Sequence, residues 1–388
     1  MKPSRQSYIN VHRDAWVEVN LEYLAQNVKA IKSLCKEGGS RSEPKPTGAK
    51  GVKLLAVVKA DAYGHGAVMA APTMLASGVD MLGVASIDEG LNLRDANINC
   101  DILVLGTAPV WAFECAAEND ITLSIFSNEH ITACKQAFER TGKKVKVHIK
   151  IDTGMNRIGV TKEEAVRFIK EVQESDFIDL KGIFSHLACA EDVTESKKQF
   201  KKFEEIISQI DTENIILHML NTAGSISYPE YQLDMVRAGI GLYGLMPKLA
   251  CPKPFINHTC LKQIISLKGR ITRINRIDAN EGISYGHTYV SKEEIDVATV
   301  PIGYADGVPR GLSNKIYGEL NGERIKQIGN ITMDQMMFDI SNVHAKEGDV
   351  ITLLGDNLSI DEWAEIIGTI NYELTCKLKV RLPRVYTR

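Results

Sequence analysis

A lysine stands at the end of a short apolar run and is followed by a glycine-rich turn. The run, residues 54–58, is rich in β-branched side chains, which is typical of a strand covered on both faces of a parallel sheet. Gly64 and Gly66 then permit a tight turn, and residues 67–78 favour a helix that ends in a glycine C-cap. Burial among apolar neighbours lowers the pKa of a lysine, so Lys59 could attack a carbonyl carbon as a neutral amine. The alternative is an ordinary lysine whose side chain reaches solvent.

Eight apolar runs of this kind occur along the first two thirds of the chain, each followed by a polar turn and a helical stretch. They lie at residues 54–58, 81–85, 101–105, 121–125, 146–151, 181–185, 215–219 and 235–240. Eight strand–helix units predict an α/β fold, a (β/α)8 TIM-type barrel, in which active sites lie at the carboxyl ends of the strands. An open doubly wound sheet is the alternative, but the GxGxxG turn that it would need after the first strand is absent.

Polar residues follow several of these runs and therefore belong to one face of the predicted barrel. They are Lys59, Lys150, Asp152, Arg157, His186, Asn221, Thr222, Arg237 and Gly239. Taken singly, each has an ordinary explanation, such as a core histidine, a helix cap or a surface arginine. Thr222 and residues 239–241 follow the seventh and eighth strands, where barrels commonly offer hydroxyl and backbone N–H donors to a phosphate group.

Beyond about residue 257 the pattern changes to alternating strands separated by turns, and only residues 360–367 favour a helix. We therefore predict two domains, a barrel of residues 21–257 and a mostly β C-terminal domain of residues 258–388. Residues 36–51 are rich in Gly, Pro and Ser, which predicts an inserted surface loop.

The composition argues against several classes of partner. The chain of 388 residues has 46 basic and 49 acidic residues and a net charge of -3, so we expect no nucleic-acid partner. The eight cysteines are scattered without a CxxC pair, which predicts reduced thiols in a cytoplasmic protein, and we expect no metal site. No apolar run approaches the roughly 18 residues of a membrane span, and residues 1–14 lack the apolar core of a signal peptide, so we expect no membrane partner.

The segment Ala-Val-Val-Lys-Ala-Asp-Ala-Tyr-Gly-His-Gly at residues 56–66 resembles the pyridoxal-phosphate attachment signature of the alanine racemase family. Further motifs recur in the family's order, so the resemblance covers nearly the whole chain. It implies that Lys59 carries pyridoxal 5'-phosphate and that L-alanine and D-alanine are interconverted to supply D-alanine for peptidoglycan. It also implies a homodimer with shared active sites, and an N-terminal strand, residues 15–19, that packs in the C-terminal domain.

The resemblance assigns the other cofactor contacts through matching loops, residues 221–225 and 236–244. The phosphate contacts are Thr222, Gly239, Ile240 and Tyr63, and Asn221 joins them in the cofactor-binding set. Arg237 would donate to the pyridine nitrogen, with His186 bonded behind it. Because a guanidinium stays charged in proteins, that nitrogen would stay unprotonated and the electron sink would be weak, which suits racemisation better than transamination.

Substrate and proton-transfer roles are implied in the same way. Racemisation needs a base on each face of Cα, and these are Lys59 and Tyr285 of the partner subunit. A free phenol has a pKa near 10, so Tyr285 needs a hydrogen-bond partner, for which His186 is the candidate. The resemblance also implies that Arg157 binds the substrate carboxylate and that Lys150 is a carbamate that orients Arg157. Tyr304 and Met333 would line the substrate entry, and Met333 would also give a backbone N–H to the carboxylate. Asp334 is implied as a supporting residue.

One position departs from the family pattern. Val380 stands where family members typically have a tyrosine that contacts the phosphate and narrows the pocket beside the substrate side chain. Loss of that hydroxyl removes a contact of about 1.5–3 kcal/mol and widens the pocket, so a serine or broad-specificity racemase of the same fold is the alternative to an alanine racemase. Less favoured alternatives are a barrel-type decarboxylase with the same cofactor, which would have different C-terminal motifs, and a non-catalytic cofactor carrier, which should end after the eighth unit.

Overall fold

The computed structural model describes residues 13–35, 51–250 and 261–388. Nearly all of the predicted insertion, and the predicted domain boundary after residue 257, therefore lie outside the described residues. The chain forms two compact units. The barrel unit contains the described residues of Leu24–Ala62 and Ala67–Leu261, and the β-rich unit contains those up to Tyr23, together with Tyr63–Gly66 and Lys262–Arg388. The short segment Tyr63–Gly66, which the sequence placed within the barrel, thus belongs to the β-rich unit.

The barrel unit is built on eight parallel strands that close on themselves. They are Lys53–Val57, Met81–Val84, Ile102–Val104, Thr122–Ile125, Val145–Lys150, Ile178–Phe184, Ile216–His218 and Met235–Ala238. Pairing of the first strand with the eighth, with Leu55 opposite Arg237, closes the barrel. The predicted (β/α)8 barrel is confirmed. Most residues of its strands are buried, because side chains fill the barrel interior and helices cover the outside.

Helices alternate with these strands. They are Leu21–Lys32, Lys59–Gly64, Ala67–Ala76, Ile87–Asp95, Phe113–Glu118, Asn128–Thr141, Lys162–Gln173, Val193–Ile207 and Thr222–Ser227. Polar side chains begin several of them: Asn20, Ser86, Ser127 and Asp192 each accept a hydrogen bond from a backbone N–H of the first turn. Such caps contribute about 1 kcal/mol each.

The β-rich unit is organised around one nine-stranded sheet. In spatial order its strands are Arg273–Ile277, Ile295–Val300, Met336–Asp339, Glu323–Ile328, Tyr317–Leu320, Val350–Leu354, Ile265–Arg270, Ala15–Asn20 and Arg384–Thr387. The N-terminal strand Ala15–Asn20 pairs antiparallel with Ile265–Arg270 and parallel with Arg384–Thr387. The first and last described strands of the chain therefore lie side by side.

The β-rich unit differs from the sequence prediction in two places. Within the alternating pattern beyond residue 257, the segment 282–290 is not one continuous strand but a pair of two-residue strands around the turn Tyr285–His287. A second helix, Asn371–Lys377, follows Ile360–Ile367, although the sequence favoured only the latter. Gly286 at φ 70° explains the first difference, because a left-handed glycine breaks an extended run.

The described part of the chain has no helix that is both long and apolar enough to cross a bilayer. Within the same residues, no group of three or more His, Cys, Asp or Glu side chains is arranged to hold a metal ion. The six described cysteines are free thiols.

Candidate active site

The segment after the first barrel strand carries Lys59 and turns with an unusual hand. Four successive residues, from Ala60 to Tyr63, have φ between 52° and 55°, and Gly64 follows at φ 82°. A left-handed turn of non-glycine residues costs roughly 1–2 kcal/mol per residue, so surrounding contacts must hold it. Lys59 itself is half-buried. The sequence indicated a tight turn here but not its hand, because Gly64 and Gly66 alone signalled a positive φ.

Arg237, on the eighth strand, lies at the centre of a buried hydrogen-bond cluster. Its guanidinium donates to the backbone carbonyls of Ser185 and Met219 at 2.8 and 2.9 Å. It also contacts Nδ1 of His218 at 2.7 Å and Nδ1 of His186 at 3.1 Å. The structure thus brings the predicted pair Arg237 and His186 together and adds His218. The guanidinium Nε–H has no acceptor among the described residues and is available to a ligand.

The hydrogen-bond network assigns the tautomers of three histidines. A guanidinium has donors only, so the Nδ1 atoms of His186 and His218 that face Arg237 must accept, and the hydrogen of each neutral ring is on Nε2. Nε2–H of His218 then donates to Nδ1 of His148 at 2.8 Å. His148 and His218 were not among the residues predicted from the sequence, because both lie within strands, where a histidine is ordinarily a core residue. His186 retains an Nε2–H donor for a further partner.

Burial keeps these imidazoles neutral. Burial, followed by the nearby charge of Arg237, lowers the pKa of His148 to about 3 and holds the pKa values of His186 and His218 well below the usual value. Burial also lowers the pKa of Arg237 to about 9, which leaves its guanidinium charged near neutral pH. The cluster therefore presents one fixed positive charge held by neutral acceptors.

Lys150 ends the fifth strand as a buried amine beside this cluster. Its Nζ lies 4.9 Å from the centroid of the Phe184 ring and has no hydrogen-bond partner among the described residues. The same ring lies 5.3 Å from the guanidinium carbon of Arg237. Burial, and then the charge of Arg237, hold the pKa of Lys150 well below its ordinary value. The environment therefore favours a neutral amine at this position.

Thr222 and the residues after the eighth strand form a cradle of small groups. Oγ1 of the buried Thr222 accepts a hydrogen bond from the amide of Gly239 at 2.9 Å, so its hydroxyl hydrogen remains available to an acceptor. A Cβ on Gly241 would lie 2.7 Å from Cγ2 of Thr222, so this close approach requires glycine. Ile240, between the two glycines, is fully buried. The cradle offers hydroxyl and backbone donors without a bulky side chain.

Two other predicted residues of the barrel unit have more ordinary surroundings. The side-chain oxygen of Asn221 accepts from the amide of Gly224 at 2.9 Å and so caps the helix Thr222–Ser227. Arg157 is exposed on the loop after the fifth strand. Asp152 orders that loop, because its Oδ1 accepts from two backbone amides of the loop at 2.8 and 3.1 Å. The backbone of this loop is therefore ordered, while the side chain of Arg157 is exposed to solvent.

The β-rich unit holds the other predicted residues, Tyr63, Tyr285, Tyr304, Met333 and Asp334. Tyr285 lies in the turn Tyr285–His287, and its backbone carbonyl accepts from Nδ2 of Asn330 at 2.7 Å. The Tyr285 side chain is 75% exposed. Burial raises the pKa of Tyr63, so its phenol is a neutral group. The backbone of Tyr285 is therefore held by Asn330, while its phenol is exposed to solvent.

Tyr304 and Met333 lie on two loops that are bonded to each other. The amides of Tyr304 and Ala305 donate to the carbonyls of Thr332 and Met333 at 2.9 and 3.0 Å. A Cβ on Gly303 would lie 2.3 Å from the Thr332 carbonyl oxygen, which explains the glycine before Tyr304. The two loops therefore form one surface.

Asp306, which the sequence analysis missed, ties Asp334 into this surface. Arg381 donates at 2.7 Å both to the buried carboxylate of Asp306 and to Asp334. Arg13 and the amide of Gly303 also donate to Asp306, at 2.8 and 2.9 Å. Burial alone would raise the pKa of Asp306, but the hydrogen bonds from Arg13, Arg381 and Gly303 outweigh it and hold the pKa below the ordinary value. Asp306 is thus a buried, charged carboxylate that connects Arg13, Arg381 and the Gly303 backbone.

The chain combines a closed (β/α)8 barrel, a buried arginine–histidine cluster in that barrel and a β-rich unit, which is the architecture of a barrel enzyme. Family models agree with this class: the alanine racemase N-terminal domain matches residues 19–247 and the alanine racemase C-terminal domain matches residues 264–386. The chain therefore belongs to the alanine racemase family, whose members are isomerases.

Individual relatives extend over nearly the whole chain. The alanine racemase of Nostoc sp. is 40% identical over 96% of this chain and 95% of its own, and alanine racemase 2 of Oceanobacillus iheyensis is 42% identical over 97% and 94%. Among solved structures, alanine racemase from Clostridium difficile 630 has a TM-score of 0.89 and 37% identity, with 97% of both chains covered. Alanine racemase from Bacillus anthracis with bound L-Ala-P has a TM-score of 0.86 and 35% identity, with 97% and 96% covered. These relatives support alanine racemisation as the activity of this chain.

Proposed function

We propose that Lys59 anchors pyridoxal 5'-phosphate and that the chain uses it to interconvert L-alanine and D-alanine in the cytoplasm, as a source of D-alanine for peptidoglycan. The observation that carries this proposal is the Arg237 cluster, which holds a buried guanidinium with an available Nε–H in the barrel whose first strand leads to Lys59. In a barrel, the carboxyl ends of the first and eighth strands lie next to each other, so a ligand attached to Lys59 can reach Arg237.

The residues present fit the cofactor at both of its ends. Arg237 would donate to the pyridine nitrogen and keep it unprotonated. The Thr222 hydroxyl and the Ile240 amide, joined by the neutral phenol of Tyr63, would donate to the phosphate, and Gly239, whose amide donates to Oγ1 of Thr222, would orient that hydroxyl. Bound in this way, the cofactor supplies a weak electron sink that makes the Cα proton of alanine removable. Asn221 would act indirectly in this arrangement, by capping the helix that begins with Thr222.

Inversion at Cα requires a base on each face, and the proposal assigns these to two subunits of a homodimer. The amine of Lys59 takes or returns the Cα proton on one face, and the phenol oxygen of Tyr285 of the partner subunit does so on the other. The Nε2–H of His186, fixed by the bond from Arg237 to Nδ1, is the donor proposed to stabilise that oxygen when it is ionised. Tyr285 would then have the hydrogen-bond partner that a catalytic phenol needs.

Substrate binding is assigned to Arg157, which can hold the alanine carboxylate in a bidentate pair. Burial holds the pKa of Lys150 well below its ordinary value, which makes its amine easier to deprotonate. The deprotonated amine would add to CO2 and lose a proton, which forms a carbamate, an anion able to orient Arg157. Met333 would give a backbone N–H to the carboxylate, and Tyr304 would line the entry beside it. Asp334 would support both through its ion pair with Arg381.

A comparison of substrates tests the proposal. The purified protein with pyridoxal 5'-phosphate should racemise L-alanine and D-alanine, as followed by circular dichroism, and should release no CO2 from any amino acid. Borohydride reduction followed by peptide mapping should attach the cofactor to Lys59. Release of CO2 would identify a decarboxylase, and cofactor binding without turnover of any amino acid would identify a carrier.

Val380 provides a separate prediction about substrate choice. Its side chain is 91% exposed, while its neighbours are held in place by a hydrogen bond from the Lys379 amide to the Asp306 carbonyl at 2.9 Å and by the Arg381 ion pairs. Val380→Tyr should therefore fill a defined space beside the substrate side chain. Because added bulk next to a methylene or hydroxyl changes discrimination by about 1–3 kcal/mol, we expect the alanine to serine ratio of kcat/KM to rise about tenfold or more.

Val380→Phe is the matched control, since it adds the ring without the hydroxyl. A similar ratio in both variants would assign the effect to bulk, and a rise in Val380→Tyr alone would assign it to the hydroxyl. An unchanged ratio in both would show that position 380 does not set specificity.

A further inference from the structure

Glu89 makes two hydrogen bonds that the proton-transfer scheme does not use. It is the third residue of the helix Ile87–Asp95, whose cap is Ser86. Its Oε1 accepts from the amide of Ala60 and its Oε2 accepts from the amide of Ala85, both at 2.7 Å. The first of these amides directly follows Lys59 in the chain. One carboxylate therefore joins the ends of the first and second barrel strands.

An ordinary helix cap does not explain this geometry. Ser86 and Glu89 have the spacing of a capping box, in which the glutamate reaches back to the amide of the cap residue itself. Ser86 makes the expected capping bond, since its Oγ accepts from the Glu89 amide at 3.3 Å. The Glu89 carboxylate instead accepts from the amide of Ala85, which precedes the cap residue, and from the amide of Ala60, in the turn after the first barrel strand. It serves a tertiary contact rather than its own helix.

The amide that Glu89 holds belongs to the strained turn. The nitrogen of Ala60 and the carbonyl carbon of Lys59 share one planar peptide group, so fixing that N–H fixes the plane from which the Lys59 side chain departs. Ala60 also begins the four-residue left-handed turn, a conformation that persists only where neighbouring groups over-determine it. Asp61, inside the turn, bonds the residue that begins the next helix, because its Oδ1 accepts from the Ala67 amide at 2.7 Å.

We infer that Glu89 is a positioning residue for Lys59: its carboxylate holds the Lys59–Ala60 peptide group, and thereby aims the lysine amine that anchors the cofactor and moves one of the two protons. The inference rests on the proposed function of Lys59. Both oxygens are needed, because the two amides that they bind are donors and follow different barrel strands, Ala60 after Lys53–Val57 and Ala85 after Met81–Val84.

Glu89→Gln tests this inference with little change in shape. The amide group has one acceptor oxygen, so its NH2 would face a backbone N–H and one of the two bonds would be lost. Glu164→Gln is the matched control, since Glu164 is likewise the third residue of a barrel helix, Lys162–Gln173, and accepts from the hydroxyl of its cap residue, Thr161, at 3.0 Å. Glu89→Asp, which keeps the charge but is one methylene shorter, is the second variant.

The first measurement uses the protein without cofactor. Amide hydrogen exchange in the segment 59–64 should accelerate about tenfold or more in Glu89→Gln and Glu89→Asp, and remain at the wild-type rate in Glu164→Gln. Unchanged exchange in both Glu89 variants would overturn the inference.

The second measurement separates positioning from a general loss of folded enzyme. With the cofactor bound, kcat of Glu89→Gln and Glu89→Asp should fall about tenfold to a hundredfold, because displacing a reacting group by about 1 Å lowers the reaction rate on this scale. The kinetic isotope effect with Cα-deuterated alanine should rise for the enantiomer whose proton Lys59 removes and fall for the other. A smaller folded fraction of the variant protein would lower kcat but leave both isotope effects unchanged. A lower kcat with unchanged isotope effects would therefore also overturn the inference.

Borohydride trapping in the wild type distinguishes the two levels of failure. If the cofactor is trapped at another residue, the proposed function of Lys59 is wrong, and the inference about Glu89, which depends on it, is wrong as well. If the cofactor is trapped at Lys59 while exchange and isotope effects in the Glu89 variants match the control, the inference about Glu89 alone is wrong.

Discussion

Lys59→Ala is expected to lower alanine racemisation by about 10⁴-fold or more. The substitution removes one of the two acid–base groups, which alone is worth about 10²–10⁴-fold, and it also removes the covalent attachment of the cofactor. The measurement is the rate of racemisation of L-alanine, together with borohydride incorporation of the cofactor into the protein. Incorporation should be absent at residue 59 and at every other lysine.

Two variants control this prediction. Lys53→Ala changes the lysine at the opposite end of the same strand, Lys53–Val57, and should retain activity near the wild-type level. Lys59→Arg keeps a positive charge but offers no amine for a Schiff base, so it should be as inactive as Lys59→Ala. Activity of Lys59→Arg near the wild-type level would mean that a charge at this position, and not a nucleophilic amine, is what the reaction needs.

Tyr285→Phe is expected to lower racemisation by about 10²–10⁴-fold, the range for loss of one general acid or base. Lys59 is unaffected, so it should still exchange the Cα proton on its own face. In D2O, one enantiomer of alanine should therefore acquire deuterium at Cα without inversion, whereas the wild type places deuterium in both enantiomers. Mass spectrometry of the separated enantiomers measures this directly.

Tyr317→Phe is the matched control for Tyr285→Phe. Tyr317 belongs to the same β-rich unit and is 39% exposed, so loss of its hydroxyl should leave the racemisation rate near that of the wild type. Deuterium entering both enantiomers in Tyr285→Phe at the wild-type rate would exclude Tyr285 as a base.

The barrel could be predicted from the sequence because its strands are buried on both faces. Such strands appear as short runs that are mostly apolar, and each of the eight runs corresponds to a strand of the structure. The left-handed turn after Lys59 could not be predicted, because alanine and tyrosine carry no local signal for a positive φ and the single aspartate is only a weak one. Groups distant in the sequence, such as Glu89, bond this turn. Tertiary contacts decided the backbone at this point.

The cluster around Arg237 was predictable only in part. His186 follows a strand, where polar residues indicate the active face, and it was identified for that reason. His148 and His218 lie within strands, where a histidine is ordinarily a core residue, and only the bonds at 2.8 and 2.7 Å show that they continue the Arg237 network. Asp306 was missed likewise, because its partner Arg13 is 293 positions away in the chain.

The central claim, that one active site combines Lys59 of one subunit with Tyr285 of the partner subunit, is tested most directly by mixing two inactive variants. When Lys59→Ala and Tyr285→Phe are mixed in equal amounts and allowed to exchange subunits, about half of the dimers are mixed, and each mixed dimer holds one intact site. The account predicts recovery of about a quarter of the wild-type activity. A mixture of Lys59→Ala with the Lys59→Ala/Tyr285→Phe double variant should recover none. If exchange is complete and the first mixture stays as inactive as its parents, both bases lie on one chain and the claim is wrong.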